Sequence, residues 1–474
     1  MKKKKFNYPS SYVAVLFLAI LLIVASSCTT STKPSSDEAF TVVEHIELDV
    51  EDIMEQLQAT PDNPDEFDYH DLYYAVCQET QGVIPYLVSH EVVKYTSKDD
   101  QGNNIELSGL FVYPFKLLGD RIQTPLVSVD HGTELLKKYA PSKWDPFNPS
   151  EWINFAEVIV AYIMASRYGW SIVMPDYQGM GYDINENHPY CVREKLATAT
   201  ADMVEKGIAM IKDNNHPKVN WDGHLFVYGY SEGGFVTMAV TRELENRNIN
   251  LSGSVCMDGP YDLSGTMVDA LLSDNSFPVP YFLPLMLVGY QTVYPSPFSC
   301  DQVLKEPYRT DIPKYTTGFY NKDVVNSIMP ASGILKEVFT DSFIDSLNIA
   351  SSTAHQILWQ NNTYSDWIPE SKMLLWHCKN DDCVPIGNFE AAQSAFAQGG
   401  ASNITYVEWP PVPNWAGTVH VSAAPIAFYE GATWIHQQLE LVEESGIQKS
   451  EDGASDGLTP KHDFLNFAGT VQSR

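Results

Sequence analysis

The chain has 474 residues, of which 30 are Lys or Arg and 60 are Asp or Glu, so its formal net charge is -30. A chain this acidic repels nucleic acid, and we therefore expect no nucleic-acid partner. The hydrophobic share of 44% is ample for a folded core, and the length suits either two or three average domains or one large α/β domain with insertions.

The first 27 residues are predicted to be a signal peptide. Lys2 to Lys5 form a positive start, and the apolar run at 12–25 is too short to span a bilayer comfortably. Small residues then lead to Cys28, a succession that resembles a bacterial lipoprotein signal and implies lipidation of Cys28. We therefore expect an exported, cell-envelope lipoprotein, outer-membrane or periplasm-facing, held by a lipid anchor. An ordinary signal peptide with an incidental Cys28 is the alternative.

Residues 28–66 are predicted to be a polar tether, because they are rich in Ser, Thr, Pro and acidic residues. Six further cysteines follow Cys28, and an exported chain can oxidise them, although an even number establishes no pairing. Cys378 and Cys383 are near enough in sequence to form a bridge. A zinc site built from them and His377 would lack a fourth ligand, so we expect no metal.

The segment after the tether predicts a β-hairpin, because apolar and polar residues alternate on both sides of DDQGNN at 99–104. Three apolar runs follow, TPLVSVD, WSIVMPD and HLFVYGY, and each is followed by a glycine-containing turn segment. Segments with helical spacing lie between these runs. Strands that alternate with helices predict an α/β fold with a mainly parallel sheet flanked by helices.

Ser231 is the candidate nucleophile. It lies in GYSEGG, between Gly229 and Gly233, where the strand HLFVYG gives way to a helical pattern. This strand, turn and helix form the setting of a nucleophile elbow, in which a serine on a strained turn exposes its hydroxyl at the end of the sheet.

A nucleophilic serine needs a base, and the base needs an acid that holds its tautomer. On a fold of this kind the chain order is Ser, acid, His, which selects Asp381 in the phrase D-x-x-V-P and His420 in the loop after the last strand. Asp382 is the nearest rival for the acid, and Asp258 is a more distant one. The competing histidines are weaker, since one lies within a predicted helix and another in a polar tail.

Two backbone N–H groups are expected to stabilise the oxyanion. One belongs to Glu232, the residue after the nucleophile, and the other to Thr133 in the loop SVDHGTE, where Gly132 allows a sharp turn. His131 in the same loop is interpreted as a structural histidine.

With these motifs in place, the chain resembles the α/β-hydrolase fold superfamily and, within it, the secretory lipase/esterase family. The resemblance extends from about residue 92 to 444, with a gap at a long insertion, and is carried by HGT, PDYQGMG, HPYCVREKLATATADMV, GYSEGG and D-x-x-V-P followed by His. It implies hydrolysis of carboxylic esters through an acyl-enzyme on Ser231, with no metal or organic cofactor. Glu232 departs from the pattern, since a small or apolar residue often follows the serine.

The predicted elements also divide the chain, because the segment between two of the predicted strands is too long for a simple connection and has helical periodicity, which predicts a cap domain. Residues 67–263 form the first part of the hydrolase core, 264–370 a helical cap inserted over the active site, 371–445 the second part of the core, and 446–474 a polar tail. The aromatic run at 277–298 forms either a wall of the substrate pocket or the core of the cap itself.

Two other functions stay open at the level of sequence. A serine peptidase of the prolyl-oligopeptidase or aminopeptidase kind uses the same fold and triad, and fold analogy alone cannot separate ester from amide substrates. A non-enzymatic surface lipoprotein is the third hypothesis, and the intact triad argues against it. The sequence leaves the oligomeric state and the acyl and alcohol parts of a small-molecule ester substrate undetermined.

Overall fold

The computed structural model describes residues 40–48, 86–99 and 102–447. The predicted signal peptide, Cys28 and the tail after residue 447 lie outside the described residues. Within the described ranges, no helix is both long enough and apolar enough to cross a membrane.

A single sheet organises this part of the chain. Its strands are β1 Thr41–Leu48, β2 Leu87–Lys98, β3 Asn104–Phe115, β4 Ile122–Asp130, β5 Ser171–Pro175, β6 Val219–Tyr230, β7 Gly253–Met257, β8 Met373–Cys378 and β9 Ile404–Trp409. The nine strands lie in the order β1-β2-β3-β5-β4-β6-β7-β8-β9. The pairs β1/β2, β2/β3 and β3/β5 are antiparallel, and every pair from β5 to β9 is parallel. The predicted hairpin and mainly parallel sheet are thus confirmed.

Helices cover both faces of the sheet. The core helices are α1 Ala156–Tyr168, α2 Arg193–Ile211, α3 Glu232–Asn246, α11 Gly387–Gln398 and α12 Val419–Ile447. Apolar side chains of α1 and α12 pack on one face, and those of α2, α3 and α11 pack on the other. Because both faces of the sheet are covered, the central parallel strands β5, β7 and β8 are short apolar runs rather than alternating ones.

The chain between β7 and β8 is a helical insertion. Its helices are α4 Thr266–Leu271, α5 Phe282–Val293, α6 Cys300–Val303, α7 Tyr308–Tyr315, α8 Lys322–Ser327, α9 Asp341–Asn348 and α10 Thr353–Asn361. These helices share one apolar core with residues of the main body, among them Tyr190 and Phe235. The insertion is therefore helical and packs against the main body.

Residues 41–48 correct the prediction of a tether over 28–66. They form β1, which pairs antiparallel with β2 along the edge of the sheet. Its side chains are mostly exposed although its backbone is hydrogen-bonded, and four of its eight residues, Val42, Val43, Ile46 and Leu48, are apolar. The polar composition of residues 28–66 as a whole therefore hid a short edge strand within them.

Candidate active site

Ser231 lies between the end of β6 and the start of α3, with φ 60° and ψ -125°. A non-glycine residue with this backbone is strained, as an elbow that exposes one side chain requires. The elbow is tightly packed: a Cβ on Gly229 would lie 2.4 Å from the carbonyl oxygen of Gly233, and one on Gly233 would lie 2.0 Å from that of Asp130. Only glycine fits at these two positions, which explains the spacing G-x-S-x-G.

His420 lies in the first turn of α12 rather than in the loop that the sequence predicts. The helix begins early because its first N–H groups find acceptors outside it. Asp382 accepts hydrogen bonds from the N–H groups of Val419 at 3.1 Å and His420 at 3.2 Å, and Thr418 Oγ1 accepts from Val421 at 3.0 Å. A carboxylate at a helix N-terminus also interacts favourably with the helix dipole. Asp382 therefore holds the helix that carries the histidine.

The structure brings Ser231, His420 and Asp381 together in one line of hydrogen bonds. The Ser231 Oγ to His420 Nε2 distance is 2.8 Å, and His420 Nδ1 lies 2.5 Å from Asp381 Oδ2. The other oxygen of Asp381 accepts from the backbone N–H groups of Cys383 and Val384, both at 2.8 Å. The carboxylate is thus fixed in one orientation, with only Oδ2 facing the imidazole.

Electrostatics favour an ion pair between the acid and the base. Burial alone would lower the pKa of His420, but the charge of Asp381 and its hydrogen bond outweigh burial and raise that pKa above the ordinary value. Burial likewise opposes ionisation of Asp381, and the opposite charge of His420 still lowers the pKa of Asp381. The arrangement stabilises an imidazolium, which is the state of a base that has just accepted a proton.

Asp258, the distant rival for the acid, faces a different histidine. Its Oδ1 accepts the N–H of Cys378 at 2.8 Å and lies 3.0 Å from His377 Nδ1, and both side chains are fully buried. His377 Nε2 lies 2.9 Å from the carbonyl oxygen of Val384. His377 Nε2 is thus hydrogen-bonded and Nδ1 lies at ion-pair distance from Asp258, so Asp258 is the partner of His377 and not of His420.

The cysteines of the described part of the chain are free thiols, including Cys378 and Cys383. The candidate metal-binding groups found there combine Asp258, His377 and Asp381, or Asp381, Asp382 and Cys383. Neither group matches the zinc site considered from the sequence, which consisted of Cys378, Cys383 and His377. The carboxylate of Asp381 belongs to both groups and already has three hydrogen-bond donors.

The loop 131–134 lies beside the nucleophile. A Cβ on Gly132 would come within 3.9 Å of Ser231 Cβ. The N–H of Gly132 donates to Glu157 Oε1 at 3.2 Å and is therefore engaged. The N–H of the neighbouring residue, Thr133, remains this loop's candidate donor to the oxyanion. The Thr133 hydroxyl is held by the hydroxyl of Tyr190 at 2.9 Å.

His131, interpreted from the sequence as structural, contacts the loop and not the nucleophile. Its Nδ1 lies 2.8 Å from the carbonyl oxygen of Gly132, and its ring stacks on Tyr177 with centroids 4.2 Å apart. Burial lowers its pKa, which favours the neutral ring. Nothing in these contacts gives His131 a proton-transfer role.

A cavity opens from Ser231 into the space under the insertion. Its empty space, including the part open to solvent, is about 740 Å³. Its wall is almost entirely apolar and comes mainly from the insertion: Met267, Val268, Leu271, Phe277, Phe282, Leu283, Met286, Leu335 and Leu358.

The aromatic run at 277–298 serves both purposes considered for it. Phe277 and Phe282 line the cavity, whereas Tyr290 and Phe298 are fully buried in the core of the insertion. The run crosses from the pocket wall into the packed interior, so the two interpretations apply to different parts of it.

Sequence analysis missed three features that surround these residues. They are the capping of α12 by Asp382, the pairing of Asp258 with His377, and a hydrogen bond of 2.6 Å between the buried side chains of Glu232 and His188. Each joins residues more than thirty positions apart. For the contact between Glu232 and His188, the sequence held one local sign, namely that an acid directly after the serine is unusual.

The backbone resembles those of known hydrolases. A presumed hydrolase of Legionella pneumophila superposes with a TM-score of 0.68 at 22% identity, covering 84% of this chain and 98% of that one. The rice cell wall degrading esterase LipA of Xanthomonas oryzae gives 0.64 at 21% identity, with 86% and 99% covered. Candida antarctica lipase A in its closed state gives 0.58 at 14% identity, with 93% of each chain covered.

No protein-family model and no curated protein sequence matches the chain. The structural likeness nevertheless extends over most of its length, and the chain has the α/β-hydrolase fold.

Proposed function

We propose that the protein is a serine hydrolase that cleaves carboxylic esters through an acyl-enzyme on Ser231. The observation that supports this most is the line of hydrogen bonds from Ser231 through His420 to Asp381, at 2.8 and 2.5 Å, beside an apolar cavity. The LipA and lipase structures that share the fold are named for ester hydrolysis, which agrees with the proposal.

In the proposed reaction, His420 Nε2 accepts the proton of Ser231 as Oγ attacks the ester carbonyl carbon. Asp381 stabilises the imidazolium that forms. The carbonyl oxygen becomes an oxyanion facing the backbone N–H groups of Glu232 and Thr133. His420 then returns the proton to the departing alcohol, and the same residues activate water to release the acid and free Ser231.

The cavity supports an acyl group as its occupant. Apart from Ser231, Tyr190 and two cysteines, the residues that line it present apolar side chains, so an alkyl chain gains free energy on leaving water. A peptide would instead bury amide groups without hydrogen-bond partners along this wall, which is costly. The lining therefore favours esters with an extended apolar acyl group over the peptidase alternative.

We also propose that the protein is exported and anchored at Cys28. This part of the proposal rests on the charged, apolar and small-residue succession before Cys28 and the polar residues after it.

The experiment is a panel of chromogenic esters of graded acyl length run beside aminoacyl and dipeptidyl amides. Replacing Ser231 with alanine removes one hydroxyl and should lower ester turnover by about 10⁴-fold or more with little change in Tm. A fluorophosphonate should label the wild type and leave Ser231→Ala unlabelled.

Ser254→Ala is the matched control, because Ser254 is a fully buried serine of the neighbouring strand β7. It should retain both turnover and labelling. Comparable activity in Ser231→Ala and the wild type would refute the proposed nucleophile, and faster cleavage of the amides than of any ester would favour the peptidase.

A further inference from the structure

Glu232 and His188 form a second buried pair of a carboxyl and an imidazole behind the nucleophile. Glu232 is the first residue of α3 and is 1% exposed, and His188 is 9% exposed. His188 Nε2 lies 2.6 Å from Glu232 Oε1, and Nδ1 lies 3.0 Å from the carbonyl oxygen of Gln178. The proposed reaction uses neither side chain.

The hydrogen bonds fix the charge of the pair. The carbonyl of Gln178 can only accept, so His188 Nδ1 carries a proton. The contact between Nε2 and the carboxyl group needs one more proton, on either the ring or Glu232. In both cases the pair has no net charge, so Glu232 is not an uncompensated buried carboxylate beside the nucleophile.

The turn that carries His188 also contacts the loop of Thr133. Tyr190, two residues after His188, bonds the Thr133 hydroxyl at 2.9 Å. Tyr177 stacks between the rings of His188 and His131, and its hydroxyl donates to the carbonyl oxygen of His131 at 3.1 Å. Both candidate oxyanion donors therefore connect to one turn, Glu232 through its side chain and Thr133 through Tyr190.

The insertion presses on this turn from the other side. A Cβ on Gly289 of α5 would lie 2.7 Å from the carbonyl oxygen of His188 and 2.8 Å from the nitrogen of Tyr190. The helix can pack at this distance because the position is glycine. The turn is thus confined between α5 and the start of α3.

We infer that the pair of His188 and Glu232 positions the oxyanion donors. By holding the first residue of α3 against the turn 188–190, it fixes the N–H of Glu232 relative to that of Thr133. Neither side chain touches the substrate, so both act through the backbone. The inference rests on the proposed function, because it assumes that an oxyanion forms at this place.

The test compares Glu232→Leu, which removes the pair, with Glu232→Gln, which keeps one hydrogen-bond acceptor for His188. Displacing donors from their best position should lower kcat by roughly 10- to 100-fold in the leucine variant, with a change in KM of less than about threefold. The glutamine variant should recover part of the loss. Wild type and variants are assayed with one soluble short-acyl ester.

A trifluoromethyl ketone reports on the oxyanion directly. The oxygen of Ser231 bonds to the carbonyl carbon of the ketone, and the hydroxyl proton passes to His420. The carbonyl oxygen of the ketone then becomes the oxyanion. Its affinity should fall in Glu232→Leu by about the same factor as kcat, since both depend on the same two donors.

Glu91→Leu is the matched control. Glu91 is also buried, and its carboxyl oxygen lies 3.2 Å from Nδ1 of His45. Both residues are far along the chain from Ser231. This variant should lose stability but keep kcat and inhibitor affinity within about twofold, because a generic loss of a buried acid does not move the oxyanion donors.

Several outcomes would overturn the inference. They are an unchanged kcat and inhibitor affinity in Glu232→Leu, a loss confined to KM, or an equal loss of kcat in Glu91→Leu. If Glu232→Leu does not fold, Glu232→Gln and His188→Gln decide the question by the same two measurements. A wild type that no fluorophosphonate labels would instead contradict the proposed function itself.

Discussion

Replacing Asp381 with asparagine should trap the imidazole in the wrong tautomer. Oδ1 of Asp381 accepts two buried N–H groups, from Cys383 and Val384, both at 2.8 Å. The asparagine oxygen must take that place, since turning the amide over would leave both donors unpaired at about 1–3 kcal/mol each. The NH₂ group then donates to His420 Nδ1, so the ring proton moves to Nε2 and faces Ser231.

The two hydrogen bonds to Oδ1 determine how large the loss of turnover should be. Recovering the productive tautomer requires the flipped amide, at a cost of about 2–6 kcal/mol, which corresponds to roughly 30-fold to 10⁴-fold fewer productive molecules. The variant also loses the charge that stabilises the imidazolium, so we expect turnover to fall by about 10⁴-fold, as in other triads. The assay is kcat on one fast ester substrate, with Tm measured alongside.

Asp382→Asn is the matched control, the same chemical change one residue further on. Asp382 accepts from the N–H groups of Val419 and His420, and an amide oxygen can keep one of these bonds. Losing the other bond and the charge at the helix N-terminus should cost about 0.5–2 kcal/mol of stability. We expect a lower Tm and less than a tenfold loss of turnover. A larger loss at Asp382 than at Asp381, or a loss below tenfold at Asp381, would refute the assignment of the acid.

The other predictions concern pH, substrate and anchoring. Because the pKa of His420 is raised and the base must be neutral to accept a proton, kcat/KM should fall with decreasing pH at a midpoint above the ordinary 6.5, and a midpoint at or below 6.5 would contradict the ion pair. Leu271→Trp should shift the preference towards shorter acyl chains, because it fills part of the cavity, and an unchanged profile across the ester panel would place the acyl group elsewhere. Metabolic labelling with a fatty-acid analogue should mark the wild type but not Cys28→Ser, and equal labelling of both would exclude the anchor.

The sequence predicted the parts of the fold that depend on neighbours along the chain. Parallel strands such as β6 and β8 are buried on both faces, so each is a short apolar run that periodicity detects. Ser231, Asp381 and His420 follow the ends of the parallel strands β6, β8 and β9, respectively. Since the carboxyl ends of parallel strands share one edge of the sheet, finding the strands was enough to bring these residues together.

The features that escaped depend on contacts between distant residues. His420 was placed in a loop rather than in α12 because the cap of this helix comes from Asp382, 37 residues before Val419. The edge strand β1 was missed because it is a short run within a mostly polar segment and its partner β2 begins only at residue 87. No local pattern distinguishes His188 from other loop histidines until the fold places it against Glu232.

The pair of His188 and Glu232 also explains how an acid can follow the nucleophile. A bare carboxylate at this position would oppose the negative charge that develops on the oxyanion, because both would lie in a poorly hydrated interior where charges interact strongly. The pair of Glu232 and His188 has no net charge, so the N–H group of Glu232 acts on the oxyanion without an opposing net charge beside it. An acid after the nucleophile is therefore compatible with the proposed chemistry because a histidine 44 residues away pairs with it.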